Sequence, residues 1–152
     1  MTKIAVGADH AGRELKDKIK AHLAQQGYEV DDRGTMSDDS VDYPDFARSV
    51  GEDVAGKQAD MGVLVCGSGI GMAIAANKVP GVRAANVTSE YEAQMSREHN
   101  DANVLALGAR ILDEPKALAI LDKFLATQFA GGRHQRRVNK IREIEREELA
   151  KK

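Results

Sequence analysis

The chain has 152 residues, 42% of them apolar and 30% charged, which fits one globular domain and excludes a disordered chain. No apolar run approaches the ~18 residues that span a bilayer, so a membrane protein is excluded, and the opening Met-Thr-Lys-Ile-Ala-Val enters a strand pattern with no leader expected. One cysteine, Cys66, excludes an internal disulfide and a Cys-based zinc cluster, the expected compartment is the cytoplasm, and a net charge of −2 argues against a nucleic-acid partner.

Short β-rich apolar runs alternate with helical patterns. Lys3 to Gly7 reads as a first strand. Arg13 to Gln26 reads as an amphipathic helix, with Leu15, Ile19 and Leu23 on one face and Gly27 stopping it. Tyr28 to Asp32 is a second strand, and an acidic loop runs from Arg33 to Ser40. Asp42-Tyr-Pro-Asp opens a second helix, with Pro44 in its first turn and Val50 and Val54 on its apolar face. Met61 to Cys66 is almost wholly apolar, as a strand covered on both faces must be. A glycine-rich turn, Gly67 to Gly71, leads into helix from Met72 to Asn77. Val82 to Val87 is a fourth strand. Ser89-Glu-Tyr-Glu92 matches a capping box for a helix that runs to about Asn100. Asn103 to Leu107 is a fifth strand and Pro115 to Phe129 a fifth helix. A long charged helix runs from about Gln135 to the end.

This alternation predicts a single α/β domain over 1–152, with a five-stranded parallel sheet and helices on both faces. Residues 1–130 form the body and 131–152 a basic C-terminal helix. Val138, Ile141, Ile144 and Leu149 make a stripe on it that suits a contact with a second subunit, a solvated tail helix being the plainer alternative.

Open parallel sheets bind ligands outside the carboxyl ends of their strands. Asp9 and His10 follow the first strand, Cys66 to Gly71 the third, and Gly108 and Arg110 the fifth. His99 and Asn100 close the helix before strand five and are expected to reach the same rim. In Cys66-Gly67-Ser68-Gly69-Ile70-Gly71, three glycines let backbone N–H groups turn toward a ligand, and the helix that follows favours an anion, either a phosphate or an enediolate. The nucleotide-binding patterns fit poorly: the third glycine falls one residue early for the dinucleotide fingerprint, and Gly7 to Gly12 continues with Arg13-Glu14 rather than Lys-Ser/Thr. A lone cysteine is commonly a buried inert thiol. Beside glycine N–H groups the thiolate is favoured, and it can act as nucleophile or base.

The net charge conceals a split. Residues 133–152 hold eight Lys/Arg against four Glu, and the rest of the chain carries −6. Arg133 and Arg137 are four apart and share a helix face, in the fork-shaped chemistry that suits phosphate. The six aromatics all lie outside this segment, so nucleic acid is discounted. A thiol base, imidazole acids, N–H donors and arginines suit proton transfer beside the carbonyl of a small phosphorylated substrate. That chemistry requires no metal and no organic cofactor.

At these residues the chain resembles the ribose-5-phosphate isomerase B family, which also includes galactose-6-phosphate isomerase subunits. The likeness covers nearly the whole sequence: Gly7-Ala-Asp-His10, Asp42-Tyr-Pro44, Cys66 to Gly71, Ile74-Ala-Ala-Asn-Lys78, Ser96 to Val104 and Gly131-Gly-Arg-His-Gln-Arg-Arg137. The resemblance implies a Rossmann-like three-layer sandwich without a nucleotide, interconversion of ribose 5-phosphate and ribulose 5-phosphate, and a homodimer or homotetramer with active sites at the subunit interface. It implies Cys66 as the base, Gly67, Ser68, Gly69, Ile70 and Gly71 as the enediolate cradle, and His99 as the ring-opening acid. Asp9 and Asn100 would hold hydroxyls, His10, Arg133 and Arg137 the phosphate, and Arg110 would bind substrate as well. Many members carry Thr where this chain has Ser68, which keeps the hydroxyl. Another branch lacks the cysteine and uses a Glu where this chain has Met72, which places this chain in the cysteine branch.

Overall fold

The computed structural model describes residues 2–151; the two ends of the expected span, Met1 and Lys152, lie outside the described residues. Strands β1 (Lys3–Ala8), β2 (Glu29–Asp32), β3 (Met61–Cys66), β4 (Ala84–Asn86) and β5 (Val104–Gly108) form one sheet of order β2-β1-β3-β5-β4, and every pairing is parallel. Helices α1 (Arg13–Gln25), α2 (Tyr43–Ala55), α3 (Ile70–Ala76), α4 (Glu90–Asn100) and α5 (Glu114–Ala126) cover it, and α6 (Arg133–Ala150) follows as an extension. The expected three-layer sandwich is the observed one.

Side chains alternate across each strand and so feed two cores. Val63 and Val65 of β3 join Ile19 and Leu23 of α1, Ala93 of α4 and Ile120 and Phe124 of α5. Leu64 and Cys66 face the other way, toward Val50 of α2 and Met72 and Ala76 of α3. A strand that serves two cores must be apolar on both faces, hence the unbroken apolar run.

Four elements differ from expectation by more than one residue. β4 is limited to Ala84–Asn86, because the N–H of Arg83 is diverted to the Asn103 side chain at 2.8 Å; Val82 and Val87 are buried as core rather than as ladder residues. α3 begins at Ile70, two residues early, on Gly69 as its left-handed N-cap. α5 stops at Ala126, where Thr127 turns extended and its hydroxyl donates back to the Lys123 carbonyl at 2.6 Å. α6 begins at Arg133. The capping box is half met: Ser89 Oγ accepts the Glu92 N–H, but Glu92 accepts from the N–H and hydroxyl of Thr88 instead of returning to Ser89.

The apolar face of α1 also buries a charge. Lys16 is fully buried, and its Nζ donates to both carboxylate oxygens of Asp32 at 2.7 and 2.8 Å. Asp32 also accepts the Gly34 N–H at 2.9 Å and Lys20 Nζ at 3.3 Å. Burial alone raises the Asp32 carboxyl, but these donors outweigh it and hold the group below the ordinary aspartate value. The loop after β2 is tied on: Gly34 accepts the Ala8 N–H, Thr35 donates to the Ala8 carbonyl, and Val41 N–H donates to His10 Nδ1.

Removing one partner of a buried pair leaves the other uncompensated. Asp32→Asn is expected to cost about 3 kcal/mol at neutral pH, read by urea unfolding. A lowered carboxyl contributes fully above its unfolded value and loses that contribution as pH falls through the folded value. The gap between wild type and variant therefore closes below about pH 4.

Candidate active site

The carboxyl ends of β1, β3 and β5 lie side by side, with Cys66 in register with Gly108. The tails are zipped together: Ala109 N–H donates to the Cys66 carbonyl at 2.8 Å and Arg110 N–H to that of Gly67 at 2.9 Å. This brings the Arg110 guanidinium over Gly67, where an added Cβ would meet Nη1 at 3.1 Å. On the β1 side Asp9 N–H donates to the Val65 carbonyl, and the largely buried Asp9 carboxylate accepts the Gly12 N–H at 3.1 Å. His10 accepts Val41 N–H on Nδ1 at 3.2 Å, which leaves Nε2 as the nitrogen that carries a proton in the neutral ring.

Cys66 closes the floor of an open cleft of about 610 Å³ that Asp9, Tyr43, Gly67, Ser68 and Arg110 also line. Gly69 N–H donates to Cys66 Sγ at 3.2 Å, and Ile70 N–H donates to Ser68 Oγ at 3.2 Å. A hydroxyl that serves as acceptor is a role Ser and Thr share. Gly69 makes the turn possible. Its φ is +82°, and an added Cβ would meet Asn86 Oδ1 at 2.5 Å and the Leu107 carbonyl carbon at 2.9 Å. The mouth of the cleft exposes Ile70, Ile74 and Ile111.

The remaining sequence-predicted residues lie elsewhere. A helix that joins parallel strands runs back against them, so α4 begins at the carboxyl edge and ends at the amino edge. There the Arg83 guanidinium, just before β4, holds the carbonyls of Asn100 and Asp101 at 3.1 Å. The expectation that His99 and Asn100 reach the Cys66 rim within one chain is therefore corrected. They stand at the opposite end of β5, about 13 Å away along the strand at ~3.3 Å per residue, and α4 packs on the sheet face that Cys66 does not use.

Around His99 a second cluster forms. The Ala130 N–H donates to the Glu98 carbonyl at 3.1 Å, and Gly131 and Gly132 then reverse the chain with φ of +68° and +56°. α6 thus starts against the end of α4. Its His134 ring stacks on His99, centroids 4.2 Å apart and planes 12° from parallel. Arg133 and Arg137 stand exposed in the same first turns. Val138 is buried within the chain itself, and Glu145 accepts the Gly81 N–H, so α6 lies on its own body; Ile141, Ile144 and Leu149 remain exposed.

Residues 4–141 match the model of the ribose/galactose isomerase family. Ribose-5-phosphate isomerase B of Escherichia coli is 50% identical over 145 residues, which cover 95% of this chain and 97% of that protein. The chain belongs to the ribose/galactose isomerase family. Among solved members of this family, ribose-5-phosphate isomerase B of Clostridium thermocellum is 53% identical with a TM-score of 0.95, covering 96% of this chain and 99% of that one. The Mycoplasma genitalium protein is 44% identical with a TM-score of 0.93, covering 96% and 97%, and its structure holds bound ribulose-5-phosphate.

Two side chains at these clusters carry no role in the sequence reading. Tyr43, quoted only inside Asp42-Tyr-Pro44, lines the Cys66 cleft, and its ring lies where a Cβ on Gly71 would meet it at 2.6 Å. His134 heads the basic segment in sequence, and only the reversal at Gly131 shows that it meets His99. The signal for Tyr43 was its place beside a helix-starting proline, which sets it at the carboxyl edge.

Gly69→Ala would have to hold an alanine in a left-handed conformation against backbone. A loss of about 1–3 kcal/mol is expected in thermal unfolding, together with a fall in turnover larger than unfolding accounts for, because the turn must shift to relieve the Cβ and carries its N–H away from Cys66 Sγ.

Proposed function

We propose that this chain interconverts D-ribose 5-phosphate and D-ribulose 5-phosphate as an aldose–ketose isomerase, with Cys66 as the base. The observation that carries the reading is the near-full-length likeness to ribose-5-phosphate isomerase B, including one relative solved with ribulose-5-phosphate. The geometry supports the chemistry. The Cys66 thiolate takes the proton from C2 of the open-chain aldose, the electron pair moves onto the C1 carbonyl oxygen, and an enediolate forms. The hydroxyl proton passes from O2 to O1, the thiol returns its proton to C1 as the C2 carbonyl forms, and the thiolate is restored. The N–H donors of the turn from Gly67 to Gly71 lie beside this centre and answer the developing charge. His99 opens the sugar ring as an acid, Asp9 and Asn100 hold hydroxyls, and His10, Arg110, Arg133 and Arg137 hold substrate and its phosphate.

On this reading the working site needs two copies of the chain. Cys66 and His99 stand at opposite edges and on opposite faces of one sheet, so the His99 cluster of a second copy must close the Cys66 cleft. A homodimer is the smallest assembly that does this, and a homotetramer would be a pair of them. The exposed Ile70, Ile74 and Ile111 at the cleft mouth, and Ile141, Ile144 and Leu149 on the extension 131–152, suit such contacts. A phosphorylated sugar does not cross a bilayer unaided, and we assign the activity to the cytoplasm.

Cys66→Ala is expected to abolish isomerisation with fold and phosphate binding retained; near-normal turnover would remove Cys66 from the mechanism. Turnover on ribose 5-phosphate, allose 6-phosphate, galactose 6-phosphate and erythrulose 4-phosphate tests the substrate, and preference for a hexose phosphate would move the assignment within the family. Arg137→Ala should mainly raise KM, since phosphate is held in ground and transition states alike.

The shared site has its own test. Coexpressed Cys66→Ala chains are inactive and His99→Asn chains are held to spontaneous ring opening, but a mixed dimer holds one intact site and one doubly damaged site. Random assortment restores about a quarter of wild-type activity. No recovery despite mixed dimers would place both residues in one chain's site.

A further inference from the structure

The stack of His134 on His99 joins the first turn of α6 to the end of α4, and nothing in the reaction as described above uses it. At 4.2 Å the two rings are in face-to-face contact, and two imidazoles so placed do not both carry a proton without mutual repulsion. Burial, then the charges of His99, Arg133 and Arg137, push His134 below the ordinary histidine value, and only Glu98 pulls the other way. Those are the groups that face it from α4 and from its own helix. Face-to-face contact restricts the rotation of both rings. Position is fixed too: His134 N–H donates to the Gly131 carbonyl at 3.0 Å, and Ala130 N–H is held by Glu98, one residue before His99.

We propose that His134 is a positioning residue for this reaction, whose stacked ring fixes the orientation of His99. The inference rests on the reading of His99 as the ring-opening acid, and the two are separable. Ribose 5-phosphate is cyclic and must open before isomerisation. With enzyme-catalysed opening, turnover keeps rising with enzyme concentration; without it, the rate levels off at spontaneous opening. His99→Asn is expected to level off. If it does not, the reading of His99 as the acid falls, whatever His134 does.

The test of His134 itself uses the full chain: the order of the His99 ring is read by NMR relaxation, and turnover is measured on ribose 5-phosphate, in wild type, His134→Ala and His134→Phe. In His134→Ala the His99 ring is expected to leave its single orientation, with kcat down about tenfold and KM changed less. His134→Phe keeps a flat ring to stack without a titrating nitrogen, so it should hold the His99 ring and recover most of kcat. A His99 ring as ordered in His134→Ala as in wild type, or a His134→Phe chain as impaired as His134→Ala, overturns the proposal.

Discussion

A helix that links two parallel strands must carry the chain from the carboxyl edge of the sheet back to the amino edge. Everything distinctive about this molecule follows from that constraint. Residues that end strands and residues that end helices are sorted to opposite rims, and short sequence separation cannot bring them together. Cys66 ends β3 and His99 nearly ends α4, so each rim gathers its own set of polar groups. The carboxyl rim collects the thiol, the N–H donors and Asp9. The amino rim collects imidazoles and, through the reversal at Gly131 and Gly132, the first arginines of α6.

The charge distribution has the same division. The body carries −6, and the compensating positive charge sits in the last helix, whose first turns stand beside His99. Cations held on an extension rather than in the body reach outward from their own sheet edge.

Much of this was legible in the chain itself. The buried strands were, because a strand with a core on each face has no choice but to be apolar throughout. The turn after β3 was, because its glycines answer to backbone approach rather than to packing. β4 was overestimated because Val82 and Val87 are apolar for another reason: they plug the two cores beyond the ladder. Lys16 was illegible. A lysine next to an apolar stripe reads as surface, and its partner Asp32 is brought to it only by the β1–β2 pairing. The rim assignment of His99 failed because it followed chain proximity to strand five and not the direction of α4. The His99–His134 stack could not be read from a line of letters, since it depends on the angle at which α6 leaves two glycines.

The strap between β2 and α2 is fastened at both ends. One end is held by the Asp32 carboxylate, which accepts Lys16, Lys20 and the Gly34 N–H; the other end is held where Val41 meets His10. Between them Gly34 and Thr35 clamp Ala8, the last residue of β1. The Asp32 carboxylate therefore bears on the backbone that clamps the end of β1, and not only on the lysine it pairs with.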